Sequence, residues 1–382
     1  MKENTEKKRI VIVTNSTNYE PRAEKVGEFF LKQGYHVLWI ESDFVHREKK
    51  KRFAERKGHF YVDTITYKKN LSVRRLYSHY DFAQRVYHLL KKQRVDLLYI
   101  MIPANSLAPV AARLKSKQHF KLIIDIIDLW PESLPIKKFK WIWPIQYWGR
   151  LRDAYLDKAD FVLTECDLYR TLLRLDVVNT ATLYWPKEQT APNLTPHKID
   201  DCLHIAYLGS INYIIDMDMI IDILSEIKQL KIVKFHVIGD GESREKFLNK
   251  LRENCIDTQY YGIVYNEEEK KKIFEKCSFG MNIMKEGICV GLTMKSIDYF
   301  CYGLPLINNI HGDTWSLVEE YDIGINCKGE DYKGCAQRIV EAADKLQERR
   351  DLIQRLYNQL FSIEALERVL AGSILPLLER KE

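Results

Sequence analysis

The stretch EGICVGLTMKSIDYFCYGLP, Glu286–Pro305, decides how this chain is read. It opens with small residues, passes Gly291 and Lys295, and turns helical. Leu292, Ile297, Phe300 and Cys301 recur near helical spacing, and Gly303-Leu304-Pro305 stops the helix. A glycine-containing turn that runs into a helix start offers free N–H groups and the positive end of the helix dipole, a place for an anion. Lys295 adds a cation in or just before the first turn. Asp298, one turn on, can accept hydrogen bonds from a pair of sugar hydroxyls. The strand Pro305–Asn308 follows at once. The plain alternative is a buried helix with a Gly-Pro stop, since anion sites at helix starts are common and unselective.

Outward from this stretch the chain alternates strand and helix. Arg9–Thr14, Asp96–Ile102 and Lys121–Ile127 are continuous apolar runs, the mark of strands covered on both faces. Pro21–Gln33 reads as an amphipathic helix ended by Gly34, and Tyr35–Ile40 as the next strand, which makes a βαβ unit. Helices are expected over Phe82–Arg94, Ser106–Lys115 and Leu151–Lys158, and a strand over Phe161–Thr164. At the carboxyl end of Lys121–Ile127 comes Asp128-Leu-Trp-Pro-Glu132. Ligands of open α/β sheets sit outside the carboxyl ends of strands, so Asp128 and Glu132 are candidates for chemistry. The plain alternative has Asp128 capping the turn Leu129-Trp130-Pro131.

PKEQTAPNLTPHKIDD, between Trp185 and Asp201, carries three prolines and little apolar content and reads as a linker. A second α/β series follows. Its expected strands are His204–Leu208, Phe235 to the turn at Gly239–Gly241, Gln259–Gly262 and Phe279–Ile283, and its helices Met217–Lys228, Arg244–Asn254 and Glu267–Cys277. The organisation is therefore residues 1–186, a linker at 187–202, a second domain at 203–361, and a closing helix at 362–382.

With 382 residues, two domains are expected. No run of eighteen uncharged apolar residues exists, and the start, MKENTEKKRIVIVTNS, lacks a signal peptide's apolar core. The eight cysteines form no CxxC pair and no metal-ligand spacing with histidine, so they read as reduced, mostly buried thiols of a cytoplasmic protein. Charge is uneven. Residues 1–187 hold 35 Lys and Arg against 21 Asp and Glu, and the rest hold 24 against 32. The basic half suits anionic partners: a phosphorylated acceptor, an acidic lipid surface or nucleic acid. His46–Lys57, HREKKKRFAERK, reads as a solvated basic loop or helix. Lys137–Trp148, KKFKWIWPIQYW, interleaves lysine and tryptophan as lipid-headgroup and nucleic-acid surfaces both do, core packing being the alternative. No nucleic-acid motif accompanies the charge.

Three segments carry a resemblance. DIIDLWPES (Asp125–Ser133), FHVIGDGE (Phe235–Glu242) and GLTMKSIDYFCYGLP (Gly291–Pro305) resemble, in order and spacing, motifs of GT-B glycosyltransferases, most closely the retaining, nucleotide-sugar-dependent family 4 of bacterial polysaccharide synthesis. The resemblance implies two Rossmann-like domains facing across a cleft, with the last helix returning to the N-terminal domain. It implies a nucleotide-sugar donor, UDP-linked, and a glycan, lipid-linked or protein-linked acceptor. It implies no metal and no other cofactor. Gly209, Ser210, Gly239, Val264, Gly291, Leu292, Thr293, Lys295 and Asp298 become the nucleotide-sugar-binding set: uracil near Gly262–Tyr265, ribose on Asp298, diphosphate on Lys295. Asp128 and Glu132 become the catalytic candidates. The expected location is cytoplasmic, with peripheral contact to the inner face of an anionic membrane.

The sequence departs from the family pattern at several positions. Asp298 stands where the family has Glu, and Val290 where many members have a second Glu. Gly209–Asn212, with Ile214 and Ile215, lacks the basic pair that faces the diphosphate, and Ile127 stands where relatives often have His or Arg. Neutralisation then falls to Lys295 and backbone amides, with Arg22 and Lys285 as further candidates. A non-catalytic GT-B partner protein is the alternative function, and a nucleotide-sugar epimerase a more distant one.

Overall fold

A computed structural model describes residues 7–52, 55–70, 72–134, 142–175, 179–189 and 201–379. The chain divides into two compact units, one of Met1–Tyr184 with Leu366–Glu382 and one of Trp185–Ala365. Most of the proline-rich linker expected at 187–202, and Lys137–Trp141 of the Lys/Trp stretch, lie outside the described residues.

The first unit runs β1 (Arg9–Thr14), α1 (Glu20–Lys32), β2 (His36–Ser42), β3 (Phe44–Val45), β4 (Lys50–Lys51), β5 (His59–Val62), α2 (Val73–Leu90), β6 (Leu97–Ile102), α3 (Leu107–Lys115), β7 (Lys121–Ile126), α4 (Trp143–Asp153), β8 (Phe161–Thr164), α5 (Asp167–Leu173) and β9 (Thr180–Thr182). Seven strands form a parallel sheet in the order β5-β2-β1-β6-β7-β8-β9. β1, β6 and β7 are buried almost end to end because helices cover both faces. His46–Lys57 corrects its reading in part: Lys50–Lys51 pairs antiparallel with Phe44–Val45, and residues 53 and 54 lie outside the described set. α4 begins at Trp143, earlier than Leu151, with a proline in its first turn, where the missing N–H costs nothing.

The second unit runs β10 (Cys202–Leu208), α6 (Met217–Leu230), β11 (Ile232–Ile238), α7 (Arg244–Glu253), β12 (Asp257–Gly262), α8 (Glu267–Phe274), β13 (Phe279–Asn282), α9 (Met294–Cys301), β14 (Leu306–Asn308), α10 (Asp313–Tyr321), β15 (Gly324–Asn326), α11 (Tyr332–Ala343) and α12 (Leu346–Leu360). Its parallel sheet has the order β12-β11-β10-β13-β14-β15. One apolar layer of its core has Ile205, Phe235 and Phe279 of the sheet meeting Ile220, Leu224 and Ile339 of the helices.

Each sheet reverses its strand order once, at β1/β6 and at β10/β13, and the loops leaving those strands splay apart at the carboxyl edge. The closing helix appears as α13 (Ile363–Ser373) and α14 (Leu375–Glu379), whose residues from Leu366 on belong to the first unit. Lys32 pairs with Glu367 at 2.6 Å, and the Lys8 ammonium donates to the Leu378 carbonyl.

The cysteines are not all thiols. Cys327 and Cys335, eight residues apart with Cα atoms 5.7 Å apart, form a disulfide at a spacing that matches no CxxC pattern. Cys166, Cys277 and Cys301 are buried free thiols, and Cys255 is exposed.

Candidate functional site

In the second unit the site is built around the start of α9. Thr293 caps the helix, its hydroxyl accepting from the Ser296 amide at 3.2 Å. The amides of Met294 and Lys295 donate to nothing among the described residues. Three asparagines at the ends of adjacent strands, paired in register, brace this cap. Asn282 donates to the Ser296 hydroxyl at 2.8 Å, and Asn308 donates to Asn326 at 2.8 Å. Gly291 is held from the other side, its carbonyl accepting from the Thr314 amide at 2.8 Å. Leu292 is buried behind it.

The body of α9 is pinned by Tyr299. Its hydroxyl accepts from the Leu208 amide at 2.7 Å, and its ring lies where any side chain at Gly280 would stand, 2.5 Å from an added Cβ. β13 therefore carries glycine at that point so that the helix can approach the sheet.

Lys295 sits over Tyr207, its Nζ 5.1 Å from the ring centroid. No carboxylate pairs with it among the described residues. Desolvation lowers its pKa to about 8, since no carboxylate stands near enough to offset it. Across from it lie the turns after β10 and β11. Gly239 has φ +138°, and a Cβ there would stand 1.9 Å from the Gly209 carbonyl oxygen. The turns interlock through Gly209 N–H to Ile238 O and Ile211 N–H to Asp240 O, both 2.9 Å. The Ser210 carbonyl accepts from the Tyr207 hydroxyl at 2.9 Å. Val264, nearly buried, follows β12, and Gly262 accepts from the Gly239 amide at 2.7 Å. The structure thus brings Gly209, Gly239 and Lys295 together at the strand-order reversal.

Asp298 lies one turn further along α9 and faces Lys187, with which it forms an ion pair. Lys187 also reaches Glu267 at 3.4 Å. Burial opposes the Glu267 charge, but hydrogen bonds from Lys270 and Tyr302 and the Lys187 charge outweigh it and hold the carboxyl at about 2. Lys187 stands at the start of the stretch expected to be a linker. It belongs to the second unit, fastened through its amide to Phe361 O at 2.8 Å. A cavity of about 680 Å³ opens beside Met284–Val290 and includes Lys285, His311, Lys328 and Tyr332; it does not include Lys295. The Lys285 amide donates to Ile214 O at 2.9 Å, so this lysine lies against the loop that lacks a basic pair.

In the first unit the two aspartates of DIIDLWPES part company. Asp125 is fully buried and takes a two-pronged bond from Arg22 at 2.8 and 2.9 Å, plus the Tyr99 hydroxyl at 2.7 Å. Arg22 is therefore committed to the core and leaves the list of diphosphate ligands. Asp128 is only partly buried and accepts a hydrogen bond from Tyr19. Burial raises its pKa, with the Tyr19 bond and the Arg75 charge pulling the other way. It does not act as a cap for the Leu129–Pro131 turn: the carboxylate accepts from Tyr19, and its other oxygen has no partner among the described residues.

Glu132 is held by Arg152, with 3.0 and 3.1 Å contacts. Arg152 and Asn105 also donate to the Trp130 carbonyl, at 2.8 and 3.0 Å. The pair fixes the Trp130–Glu132 turn. Around Trp130 gather Arg75, 4.3 Å from its ring centroid, and His79, stacked at 6.3 Å. Burial and the Arg75 charge lower the His79 pKa to about 3, so the imidazole is neutral. Tyr19, Arg75 and His79 carry no motif, and nothing in the sequence singles them out.

Among the described residues no group of three or more His, Cys, Asp or Glu is placed to hold a metal ion, and no helix is long and apolar enough to cross a membrane.

No family model and no curated protein matches this chain by sequence. Solved structures match it along nearly its whole length. Sucrose-phosphate synthase from Thermosynechococcus elongatus has 12% identity and a TM-score of 0.73, covering 97% of this chain and 99% of that one. The lipopolysaccharide outer core galactosyltransferase WaaB, in its apo form, has 15% identity and a TM-score of 0.67, covering 96% and 99%. Anabaena Alr3699/HepE in complex with UDP has 11% identity and a TM-score of 0.65, covering 97% and 100%. The fold is the GT-B fold of glycosyltransferases.

Proposed function

We propose that the protein is a glycosyltransferase that moves a sugar from a nucleoside diphosphate sugar, UDP-linked, to a glycan, lipid-linked or protein-linked acceptor in surface-glycan synthesis. The observation that carries this reading is Lys295: a half-buried ammonium with no acidic partner among the described residues, beside free helix-start amides and opposite the glycine turns at Gly209 and Gly239. Such a place stabilises a diphosphate, and most of all one that gains charge as it leaves the sugar. Asp298 keeps the ribose role in this reading, with Lys187 orienting its carboxylate. HepE was solved with UDP and glucose, which supports the UDP assignment. Retention of configuration and membership of family 4 rest on the motif resemblance, and no nucleophile is assigned.

Asp128 is the proposed contact to the acceptor or the reacting sugar, in the unit that carries most of the positive charge. Glu132 acts on catalysis only by fixing the Trp130–Glu132 turn. The basic first unit favours peripheral contact with an anionic membrane.

The second reading, a non-catalytic GT-B partner, is favoured by the missing basic pair at Ile214 and Ile215. Lys285, lying against that loop, weighs against it. A nucleotide-sugar panel separates the two. A glycosyltransferase binds UDP with a rise in melting temperature and releases UDP from one UDP-sugar. Binding without any turnover, across sugars and with cell-envelope acceptors added, supports the partner protein, and no binding of any nucleoside diphosphate overturns both.

A further inference from the structure

We propose that the basic cavity at the start of α2 binds a phosphate group carried on a lipid. The cavity, about 400 Å³, follows β5 on the carboxyl edge of the first sheet and is lined by Lys49, Tyr67, Lys68, Lys69, Ser72 and Arg74, with no carboxylate among its lining residues. Four cations around one small space repel each other and are retained at a cost unless an anion joins them.

The wall is braced. Arg74 donates to Thr66 O at 2.7 Å, Arg75 to Asn70 O at 3.1 Å, and the Ser72 hydroxyl to Lys69 O at 2.9 Å. The carbonyls are thereby turned to α2, and none of the amides of residues 66–70 donates within the described residues. Lys49 crosses the Tyr67 ring at 5.0 Å and bonds Asn70 at 2.6 Å. Lys68 and Lys69 are exposed and unpaired among the described residues.

The lipid is read from α2 itself. Val73, Tyr77 and Tyr80 are 83, 57 and 51% exposed. At i, i+4 and i+7 they share one helix face, beginning one residue before Arg74, and the Tyr77 and Tyr80 rings stack at 6.4 Å. Solvent-facing tyrosines beside lysines suit a headgroup layer, and stable attachment takes two signals, here charge and apolar contact. Arg75 ties the cavity to the candidate site: it lies 5.6 Å from the Tyr67 ring and 4.3 Å from that of Trp130, two residues beyond Asp128. As an acceptor's handle the cavity rests on the glycosyltransferase reading. As a lipid-phosphate site it stands without it.

The test uses the full chain, phosphatidylcholine vesicles with and without phosphatidic acid, and soluble inorganic pyrophosphate. The wild type is expected to sediment with the phosphatidic acid vesicles only. Lys68→Ala/Lys69→Ala should partition about 30-fold more weakly, from ~1 kcal/mol for each lysine. Tyr77→Ser/Tyr80→Ser should lose vesicle binding yet keep pyrophosphate affinity. Equal binding to both vesicle types, or an unchanged lysine variant, overturns the proposal. A tyrosine variant that sediments like the wild type overturns the lipid and leaves a soluble phosphate ligand. UDP affinity, measured alongside, should be the same in all variants; its absence in the wild type would sink the glycosyltransferase reading and not this one.

Discussion

Replacing Lys295 by methionine keeps the stem that packs over Tyr207 and removes only the charge. A charge-assisted hydrogen bond to a diphosphate is worth ~1.5–3 kcal/mol, so Lys295→Met should weaken UDP binding about 10- to 150-fold. The structure adds a pH signature. Burial places the free lysine's pKa at about 8, and a bound diphosphate should draw it back up toward its ordinary value. Below about pH 8 the ammonium is present before the ligand arrives. Above it, binding must take up a proton, and the dissociation constant should rise roughly tenfold per pH unit. The terminal phosphate titrates near ~6 and is constant in this window. Titration calorimetry in two buffers of different ionisation enthalpy reads both affinity and proton uptake. Wild type should show uptake above about pH 8 and Lys295→Met none. Parallel pH profiles, or equal affinities with the fold intact, would refute the assignment of Lys295.

Other expectations follow from the first unit. Asp128→Asn should cut turnover about a hundredfold and leave UDP affinity within a few-fold; turnover that survives makes Asp128 scaffold, and lost nucleotide binding moves it out of the acceptor side. Arg22→Met strands Asp125 in the core and should cost ~3–5 kcal/mol in urea unfolding, whereas a loss below ~1 kcal/mol would contradict its structural role. Burial, then the Glu20 charge, raises the Glu41 pKa from 4.5 to about 7 against the pull of Arg52. Its favourable contribution is then full below 4.5 and lost as pH rises through about 7. Glu41→Gln should gain stability relative to wild type across that window, and a pH-independent difference between the two would count against the buried carboxyl.

Strands were legible where the chain could hide them on both faces. Arg9–Thr14 and Phe161–Thr164 have the expected bounds, because an uninterrupted apolar run of that length has no other use. α2 was legible only from Phe82, since Val73–Asp81 exposes Val73, Tyr77 and Tyr80 and so breaks the pattern of an apolar inner face. The short edge strands Thr180–Thr182 and Gly324–Asn326 bury too little to leave a pattern.

The glycine turn and Lys295 could be read locally because an anion site at a helix start is made of neighbours in sequence. Tyr19 with Asp128 and Lys187 with Asp298 lie 109 and 111 residues apart, and only the fold pairs them. The same holds for Arg22: DIIDLWPES shows two aspartates and no means of telling which one the core consumes.

The most direct measurement is the structure of the protein with UDP bound. The diphosphate should lie at the start of α9, with a phosphate oxygen about 2.7–2.9 Å from Lys295 Nζ and others on the Met294 and Lys295 amides, and with the turns at Gly209 and Gly239 alongside. UDP seated instead in the cavity of Lys285 and Lys328, or a diphosphate out of reach of Lys295, would contradict it.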